Sequence, residues 1–510
     1  MKASVIALLG ALGVAFAWAT ASPVGASPDE SAHIVYAWGT ATGQTLPGRE
    51  STIVDDNGVT LVKVTVPADL YHYPKEDCYA RNLSATPTCG MVIEPSADAS
   101  SVDDVSYMTR YPPLYYAAVG GVMRTALSLD LSGFSALYLA RIFSGFASMA
   151  MVVGAFALLR RSFGIGAAIL PLVAAATPTA LSLFSAVNPN GFEIAGSILA
   201  AAACATVGDH VRRGVRVPAY IQGVLIVSMV ALTWTRPLSV AWAGLLSMVL
   251  LVPVGARAIP FRALSGLTQA VLVLNLVAAL GWLYYSLQTR RIGEEDPNVD
   301  WGSLPLLVKV VLIVMKFGPL LTQMVGWMGW DVTLPPLLTA IWISTVAALV
   351  ILAIAVREKR RGVWVAPALL CGSVLVVGAY SMLTGFGWQG RYWLPAVAMF
   401  IVLLTPYFQF DNLPDASRRR LVRVSVIVFG AVNTVSLTWY MWRYVYGAEA
   451  WFARFDRAPL PFDGVEWIPV PFGDGFVVLS WLVSVVLLGV AVVFTKPTAG
   501  ARYGQPLLRD

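Results

Sequence analysis

Long runs of apolar residues, separated by short polar stretches, dominate the pattern along this chain. A helix of about twenty apolar residues is long enough to cross the hydrocarbon core of a bilayer. The pattern indicates an all-α fold, a polytopic bundle of about twelve transmembrane helices. These predicted spans lie at residues 4–21, 137–159, 165–185, 194–207, 217–234, 238–254, 264–287, 336–356, 363–383, 393–408, 421–439 and 477–494.

Two further apolar segments, residues 112–129 and 304–327, carry charges that the predicted spans lack. Arg124 and Asp130 punctuate the first segment, and Lys309 and Lys316 interrupt the second. Charge inside a lipid-facing span is costly, so we predict that both segments are interfacial or re-entrant helices on the outer face.

The composition agrees with a lipid environment. Hydrophobic residues make up 57% of the 510 residues and charged residues 13%, against roughly 45–50% and about 25% in soluble domains. The net charge of +6 comes from short arginine clusters between apolar runs, which are typical of topology signals. We therefore do not expect nucleic-acid binding.

These arginine clusters also predict the orientation of the chain. With a cytoplasmic N-terminus, the clusters within residues 160–161, 212–216, 257–262, 357–361 and 418–423 all face the cytoplasm, as the positive-inside rule requires. Both termini are then cytoplasmic, in a plasma membrane. The predicted divisions are a first span (1–22), an outer loop with an interfacial helix (23–134), spans (135–287), a second such outer loop (288–334), spans (335–440), an outer loop (441–475), and the last span with a cytoplasmic tail (476–510).

The first span and the loop after it each leave two alternatives open. Lys2, the apolar run and the triplet at residues 19–21 imitate a secretory signal, so the first helix is either cleaved or retained. Cys78 and Cys89 flank a polar stretch and form either a disulfide, in an oxidising compartment, or two free thiols.

An acidic motif, Pro-Asp-Glu-Ser-Ala-His, follows the first span. Asp29 and His33 would share one face of a helix, with Glu30 adjacent. Such a group could take a proton from a hydroxyl or hold a divalent cation such as Mg²⁺ or Mn²⁺. Capping of a short juxtamembrane helix is the alternative.

Several arginines and aromatic residues also lie on the predicted outer face. A guanidinium group binds phosphate well, and Tyr and Trp rings suit a sugar or a lipid headgroup. Anchoring at the membrane interface explains the same residue types, and an ordinary turn explains Asn190. The candidates are Arg110 and Tyr111 in Arg-Tyr-Pro-Pro-Leu-Tyr-Tyr, Arg141, Asn190, Arg236, Trp330 and Asp331 in Gly-Trp-Met-Gly-Trp-Asp, and Gln389, Arg391 and Tyr392 in Gly-Trp-Gln-Gly-Arg-Tyr-Trp.

Several common catalytic motifs are missing from the sequence. It contains no Walker-type phosphate loop, His-Glu-x-x-His, Gly-x-Ser-x-Gly or Cys-x-x-Cys. A nucleotide-driven pump, a zincin protease and a serine hydrolase are therefore disfavoured, whereas an enzyme that uses a membrane-borne activated substrate is not.

The acidic motif, Tyr-Pro-Pro-Leu-Tyr-Tyr, Gly-Trp-Met-Gly-Trp-Asp and Gly-Trp-Gln-Gly-Arg-Tyr together resemble the bacterial membrane family called domain of unknown function 2142. The resemblance runs over residues 28–395. That family is in turn similar to type C glycosyltransferases. The resemblance implies a polyprenyl-phosphate-linked sugar as donor and a cell-envelope glycan or glycolipid as acceptor, joined outside the cytoplasm with inversion at the anomeric carbon. Some type C enzymes require a metal and others do not.

The resemblance also implies roles for individual residues. Asp29, with Glu30 as deputy, would deprotonate the acceptor hydroxyl. One or more arginines would bind the departing phosphate, Arg391 first among them. The remaining implied residues are Arg110, Arg141 and Arg236 for the phosphate, and Gln389, Tyr392, Trp330 and Asp331 for the sugar.

Two other classes of protein fit the same pattern. A transporter or flippase of lipid-linked sugars or envelope polymer would also need outer arginines and aromatic surfaces, together with polar residues along its spans. A non-catalytic scaffold for envelope assembly would tolerate changes at Asp29 and Arg391.

Overall fold

Helices account for most of the structure, a computed structural model that describes residues 2–56, 58–71, 76–82, 84–90, 100–254, 258–290, 301–355, 365–384, 388–408, 414–447, 467, 469 and 473–494. The helices are α1 (Lys2–Thr20), α2 (Glu30–Ala41), α3 (Glu76–Tyr79), α4 (Pro113–Ser128), α5 (Gly133–Ala175), α6 (Pro178–Phe184), α7 (Pro189–Arg212), α8 (Ala219–Thr233), α9 (Ser239–Leu251), α10 (Gly266–Thr289), α11 (Leu306–Gly326), α12 (Pro336–Ala355), α13 (Val365–Thr384), α14 (Gly390–Leu403), α15 (Asp415–Tyr446) and α16 (Asp474–Phe494).

The predicted helical membrane fold is confirmed. In the described part of the chain, seven helices are long and apolar enough to cross a membrane: α5, α7, α10, α11, α12, α13 and α15. Four shorter apolar helices, Val5–Thr20, Ala219–Thr233, Ser239–Leu251 and Gly475–Val490, accompany them.

Some predicted spans have a different form. Residues 165–185 do not make one helix, because α5 ends at Ala175 and Thr177 caps a separate short helix, Pro178–Phe184. Gly164, with a φ of 83°, kinks α5 between the predicted spans 137–159 and 165–185. The run at 393–408 becomes the 14-residue helix α14, of which all but Tyr392 is buried inside the protein. Its hydropathy reflects burial among helices rather than contact with lipid.

Helix α11 was predicted to be interfacial, although its length and composition also suit a crossing. Just before it, the indole of Trp301 donates to the carbonyl of Met382 (3.1 Å). Near its end, the side-chain oxygen of Gln323 accepts from the amide of Gly390 (2.6 Å). These contacts join Trp301 and Gln323 to residues on either side of the connection between α13 and α14, and the interfacial position of α11 stays a prediction.

A small subdomain with a β-sheet follows α1. Strands β1 (Ser51–Val54), β2 (Thr60–Pro67) and β3 (Ser101–Ser106) form an antiparallel sheet in the order β1-β2-β3. The sheet, α2, α4 and the first turns of α5 share one hydrophobic cluster. A second hairpin, β4 (Trp327–Met328) and β5 (Val332–Thr333), follows α11 directly.

Two glycines allow close backbone contacts between α14 and α11 and between the β4–β5 hairpin and the loop after α1. A Cβ at Gly390, the first residue of α14, would lie 2.6 Å from the carbonyl oxygen of Leu320 on α11. In the β4–β5 hairpin, Gly329 has a φ of 60° and a Cβ there would lie 3.1 Å from the carbonyl oxygen of Ala26. Only glycine fits such approaches. The approach at Gly329 places the β4–β5 hairpin against the loop between α1 and α2, and the approach at Gly390 places the start of α14 against α11.

Candidate functional site

Asp29 occupies an unusual backbone position at the start of α2. Its φ of 64° lies in the left-handed region, and it caps the helix without a side-chain capping bond. Asp tolerates this conformation better than most residues, but it remains uncommon outside glycine. The conformation leaves both carboxylate oxygens available to groups outside the helix.

Two distant residues bind the Asp29 carboxylate. The hydroxyl of Tyr107 donates to Oδ1 (2.9 Å), and Nη2 of Arg391 donates to Oδ2 (2.7 Å). The side chain of Asp29 is 20% exposed and that of Arg391 is 7% exposed. Burial by itself raises the pKa of Asp29, but Arg391, His33 and the hydrogen bond from Tyr107 lower it more, so the net pKa lies below its ordinary value. Asp29 is therefore an anion at neutral pH.

Arg236, the second arginine of the site, packs on the same phenol ring as Arg391. The Cζ atoms of Arg391 and Arg236 lie 5.0 and 4.4 Å from the centroid of the Tyr392 ring. Arg236 is buried and pairs with Glu193 (Nη1 to Oε2, 3.1 Å), whose Oε1 also accepts from the Ser239 hydroxyl (2.6 Å). Among the described residues, the buried Nε atoms of Arg236 and Arg391 have no hydrogen-bond partner.

His33 lies behind this pair, on the next turn of α2. Its Nδ1 is 2.8 Å from the hydroxyl of Tyr116, and its ring packs edge-on against Tyr111. Burial lowers the pKa of His33 to about 3; Asp29 raises it in part, while Arg391 and Arg236 lower it further. His33 is consequently neutral at physiological pH.

The structure thus brings together six of the residues that the sequence singled out. Arg236 also lies 5.7 Å from the ring of Tyr111, which closes the group. We call these residues the Asp29 cluster: Asp29, His33, Tyr111, Arg236, Arg391 and Tyr392, with Tyr107 as a further member.

Glu30 points away from the Asp29 cluster. Its carboxylate is fully buried and bound by Arg141 through Nε to Oε1 (2.8 Å) and Nη2 to Oε2 (2.7 Å). The amides of Gly25 and Val187 donate to the same two oxygens. Arg141 in turn donates to the carbonyl groups of residues 19, 22 and 23. This pair therefore fixes the loop between α1 and α2.

Asn190 lies one layer behind Asp29, in the first turn of α7. Its amide group donates to Oδ1 of Asn188 (2.7 Å), and Asn188 donates to the carbonyl of Pro28 (2.8 Å). Asn190 thereby supports the backbone that precedes Asp29.

Arg110 and Gln389 flank the cluster. Nε of Arg110 donates to the carbonyl oxygen of Arg290 (2.9 Å), and Arg290 pairs with Glu50. Gln389 precedes α14 and its carbonyl accepts from the amide of Tyr392 (2.9 Å).

Trp330 and Asp331 belong to a different group, around Arg443 on α15. Nη2 of Arg443 lies 2.7 Å from Oδ2 of Asp331, and Arg81 lies over the Trp330 ring, 5.4 Å from its centroid. Arg443 also donates to the carbonyl groups of residues 79, 82 and 85. These carbonyls lie between Cys78 and Cys89, which form a disulfide with a Cα–Cα distance of 5.8 Å.

The acidic motif does not form a metal site of the kind that its residue types permit. Within the described ranges, no three His, Cys, Asp or Glu side chains are arranged to hold a metal ion. Glu30 is engaged by Arg141, and Nδ1 of His33 faces a tyrosine hydroxyl. The donor set around Asp29 is instead suited to an anion.

Sequence reasoning missed Tyr107 and gave no role to Glu193. Nothing local marks Tyr107, because its contact with Asp29 joins residues 78 positions apart. Glu193 did carry a signal, since a carboxylate inside an apolar helix needs a cationic partner, and that partner is Arg236.

Several solved structures are similar to this chain. One is ArnT from Cupriavidus metallidurans bound to undecaprenyl phosphate, with 15% identity, coverage of 96% of this chain and 77% of that chain, and a TM-score of 0.44. The same protein in the apo state has 14% identity, coverage of 95% and 75%, and a TM-score of 0.39. The Archaeoglobus fulgidus oligosaccharyltransferase with Zn and sulfate has 12% identity, coverage of 90% and 55%, and a TM-score of 0.38.

No curated protein matches the sequence. A family model, that of the predicted membrane proteins designated DUF2142, matches residues 12–400. This stretch covers most of the chain and includes every member of the Asp29 cluster. The chain therefore belongs to the DUF2142 family of membrane proteins.

Proposed function

We propose that this protein is a membrane glycosyltransferase that transfers a sugar from a polyprenyl-phosphate donor to a hydroxyl group of a cell-envelope glycan or glycolipid. The observation that carries the proposal is the Asp29 cluster. It combines an ionised carboxylate, one-fifth exposed, with two buried guanidinium groups on one tyrosine ring. A base and an anion site side by side are what transfer from a phosphate leaving group requires.

The unpartnered guanidinium nitrogens support a phosphate ligand. A buried charged donor without an acceptor costs free energy that a ligand can recover. Nε of Arg236 and Nε of Arg391 are two such donors in the described structure. Phosphate oxygens accept charge-assisted hydrogen bonds from both.

The proposed reaction is a single displacement. The acceptor oxygen attacks the anomeric carbon, its proton passes to the Asp29 carboxylate, and the bond between the anomeric carbon and the phosphate oxygen breaks. Polyprenyl phosphate leaves with the bonding electron pair, held by Arg236 and Arg391. Because attack and departure occur on opposite faces, the anomeric configuration inverts.

Two observations support an extracytoplasmic site. Asn188, at the start of α7, is bonded to the backbone beside Asp29, whereas Arg212 and Arg213 lie at the other end of this 24-residue helix, about 36 Å away. The positive-inside rule puts that basic end in the cytoplasm. The disulfide Cys78–Cys89 belongs to an oxidising compartment, and Arg443 joins its loop to the β4–β5 hairpin beside Ala26.

The test is a transfer assay with purified protein in proteoliposomes, a panel of radiolabelled polyprenyl-phosphate sugars and an envelope extract. Asp29→Asn keeps a side chain that tolerates the left-handed backbone but removes the base. We expect transfer to fall by about 10²–10⁴-fold, the usual contribution of a general base. Asp130→Asn is the matched control, because Asp130 is an exposed acidic residue with a φ of 56° outside the cluster.

Full transfer by Asp29→Asn would contradict the assignment of the base. If folded wild-type protein transferred no sugar from any donor, the glycosyltransferase proposal would fail and a transporter of lipid-linked sugars would be favoured. Transfer by wild type and Asp130→Asn, but not by Asp29→Asn, is the expected result.

A further inference from the structure

An elongated apolar cavity of about 270 Å³ lies between α1, α5, α15 and α16. Its wall includes Val14, Phe156, Phe429 and Leu488, one from each helix. Phe156, Phe429 and Leu488 are only half-buried, so the cavity is reachable from the lipid-facing surface. None of the Asp29 cluster lines it.

The cavity has a basic end. Arg160 on α5 contributes to its wall, and Nε of Arg160 is buried without a hydrogen-bond partner in the described part of the chain. Two other arginines, Arg212 and Arg213, both pair with Asp209, at 2.6 and 2.9 Å. No described carboxylate pairs with Arg160.

The depth of the cavity matches one leaflet of a bilayer. Along the part of α5 before the kink at Gly164, its wall runs from Met149 to Arg160, about 17 Å at the rise of an α-helix, which is roughly half of the ~30 Å hydrocarbon core. Beyond the kink, residues 169–176 also line the cavity. Arg160 lies nineteen residues beyond Arg141 on the same helix, about 28 Å from the level of that residue. The basic end is therefore at the membrane face opposite the Asp29 cluster.

We propose that this cavity binds one acyl chain of an anionic phospholipid, with the headgroup phosphate on Arg160. The apolar wall accounts for the chain, the free guanidinium nitrogen for the anionic phosphate, and the one-leaflet depth for an acyl chain rather than a polyprenyl chain that spans the bilayer. The site is separate from the Asp29 cluster and does not depend on the proposed transferase activity.

One polar atom of the wall has no role in this arrangement. Asn433 on α15 is 7% exposed, and its Oδ1 has no partner among the residues described. Its amide nitrogen donates to the carbonyl of Phe429 (2.9 Å). An acyl chain leaves this oxygen unpaired.

The experiment is native mass spectrometry of the purified full chain titrated with phosphatidylglycerol or with diacylglycerol of the same acyl composition, which lacks the phosphate. Wild type should bind phosphatidylglycerol about tenfold more tightly, as expected for one charge-assisted hydrogen bond. Arg160→Gln should abolish this preference. Arg161→Gln is the matched control, because Arg161 is the adjacent, exposed arginine over Tyr220 and does not line the cavity; it should keep the preference.

Two variants test the cavity itself. Ala157→Phe on α5 and Val485→Phe on α16 should each block the chain and weaken binding of both lipids at least tenfold; a thermal melt identifies any variant that fails to fold. Equal affinity of wild type for the two lipids, equal losses in Arg160→Gln and Arg161→Gln, or unchanged binding in both blocked variants would overturn the proposal. Competitive displacement of phosphatidylglycerol by polyprenyl phosphate would overturn it in favour of the longer chain.

Discussion

Replacing Glu30 by Gln is a direct way to separate the two adjacent carboxylates of the acidic motif. The change preserves the shape of the side chain but removes its charge. In the structure Glu30 accepts four hydrogen bonds, two from Arg141 and one each from the amides of Gly25 and Val187. The variant leaves the guanidinium group of Arg141 buried without its anion.

The expected cost follows from the burial of the pair. The side chains of Glu30 and Arg141 are 0% and 1% exposed, so solvent does not screen them. Breaking a buried pair by removing one partner costs about 3–5 kcal/mol. Three backbone carbonyls continue to accept from Arg141, which favours the lower end, about 3 kcal/mol.

The assay is equilibrium unfolding in lipid or detergent for wild type, Glu30→Gln, Arg141→Met and the double variant. We expect each single variant to lose about 3 kcal/mol and the double variant to lose less than the sum, because both changes remove the same interaction. Arg212→Gln is the control: Arg212 is 31% exposed in its pair with Asp209, so the loss should stay below about 1 kcal/mol. A wild-type free energy of unfolding for Glu30→Gln, or fully additive losses, would refute this reasoning.

Three further predictions concern the Asp29 cluster and the disulfide loop at residues 78–89. Arg391→Lys keeps the charge but loses the planar donor set, so kcat/KM for the sugar donor should fall about 10–100-fold; unchanged steady-state kinetics would exclude a phosphate contact. The pKa of His33 is about 3 in the folded protein, against the ordinary 6.5, so the unfolded chain takes up the extra proton between these values. Wild-type stability should therefore fall as pH drops from 6.5 towards 3, and His33→Gln should flatten this slope by up to about 1.4 kcal/mol per pH unit, measured by melts across pH. Cys78→Ser opens the loop that Cys89 closes and should cost about 3 kcal/mol; a melting temperature equal to that of wild type would contradict the prediction.

The apolar runs predicted the helical membrane fold, but not how each run is used. Hydropathy does not distinguish a lipid-facing helix from one enclosed by other helices. Helix α14 is buried, whereas α10 exposes many of its apolar side chains. The break in residues 165–185 did have a local signal, since Pro178 interrupts the run and proline ends or kinks helices.

The sequence predicted which residues form the site better than it predicted which carboxylate pairs with which arginine. Arg141, Arg236 and Arg391 all required partners because an arginine in an apolar segment must pair or face a cavity. The sequence did not show which carboxylate each arginine takes. The left-handed conformation of Asp29 turns its carboxylate towards Arg391, while Glu30, one residue later, turns into the protein towards Arg141. A single backbone angle decides this division, and no local pattern predicts it.

The pairing of Asp29 with Arg391 gives the proposed mechanism an internal coupling. Before transfer, Arg391 keeps Asp29 ionised and so able to accept a proton. Once Asp29 takes the proton of the acceptor hydroxyl, the pair loses its anion and the positive charge of Arg391 is no longer balanced. This happens as negative charge grows on the departing phosphate, so the guanidinium group interacts with the phosphate more strongly in the transition state than in the ground state. Stabilisation that increases along the reaction lowers the barrier, whereas tight binding of the donor alone does not.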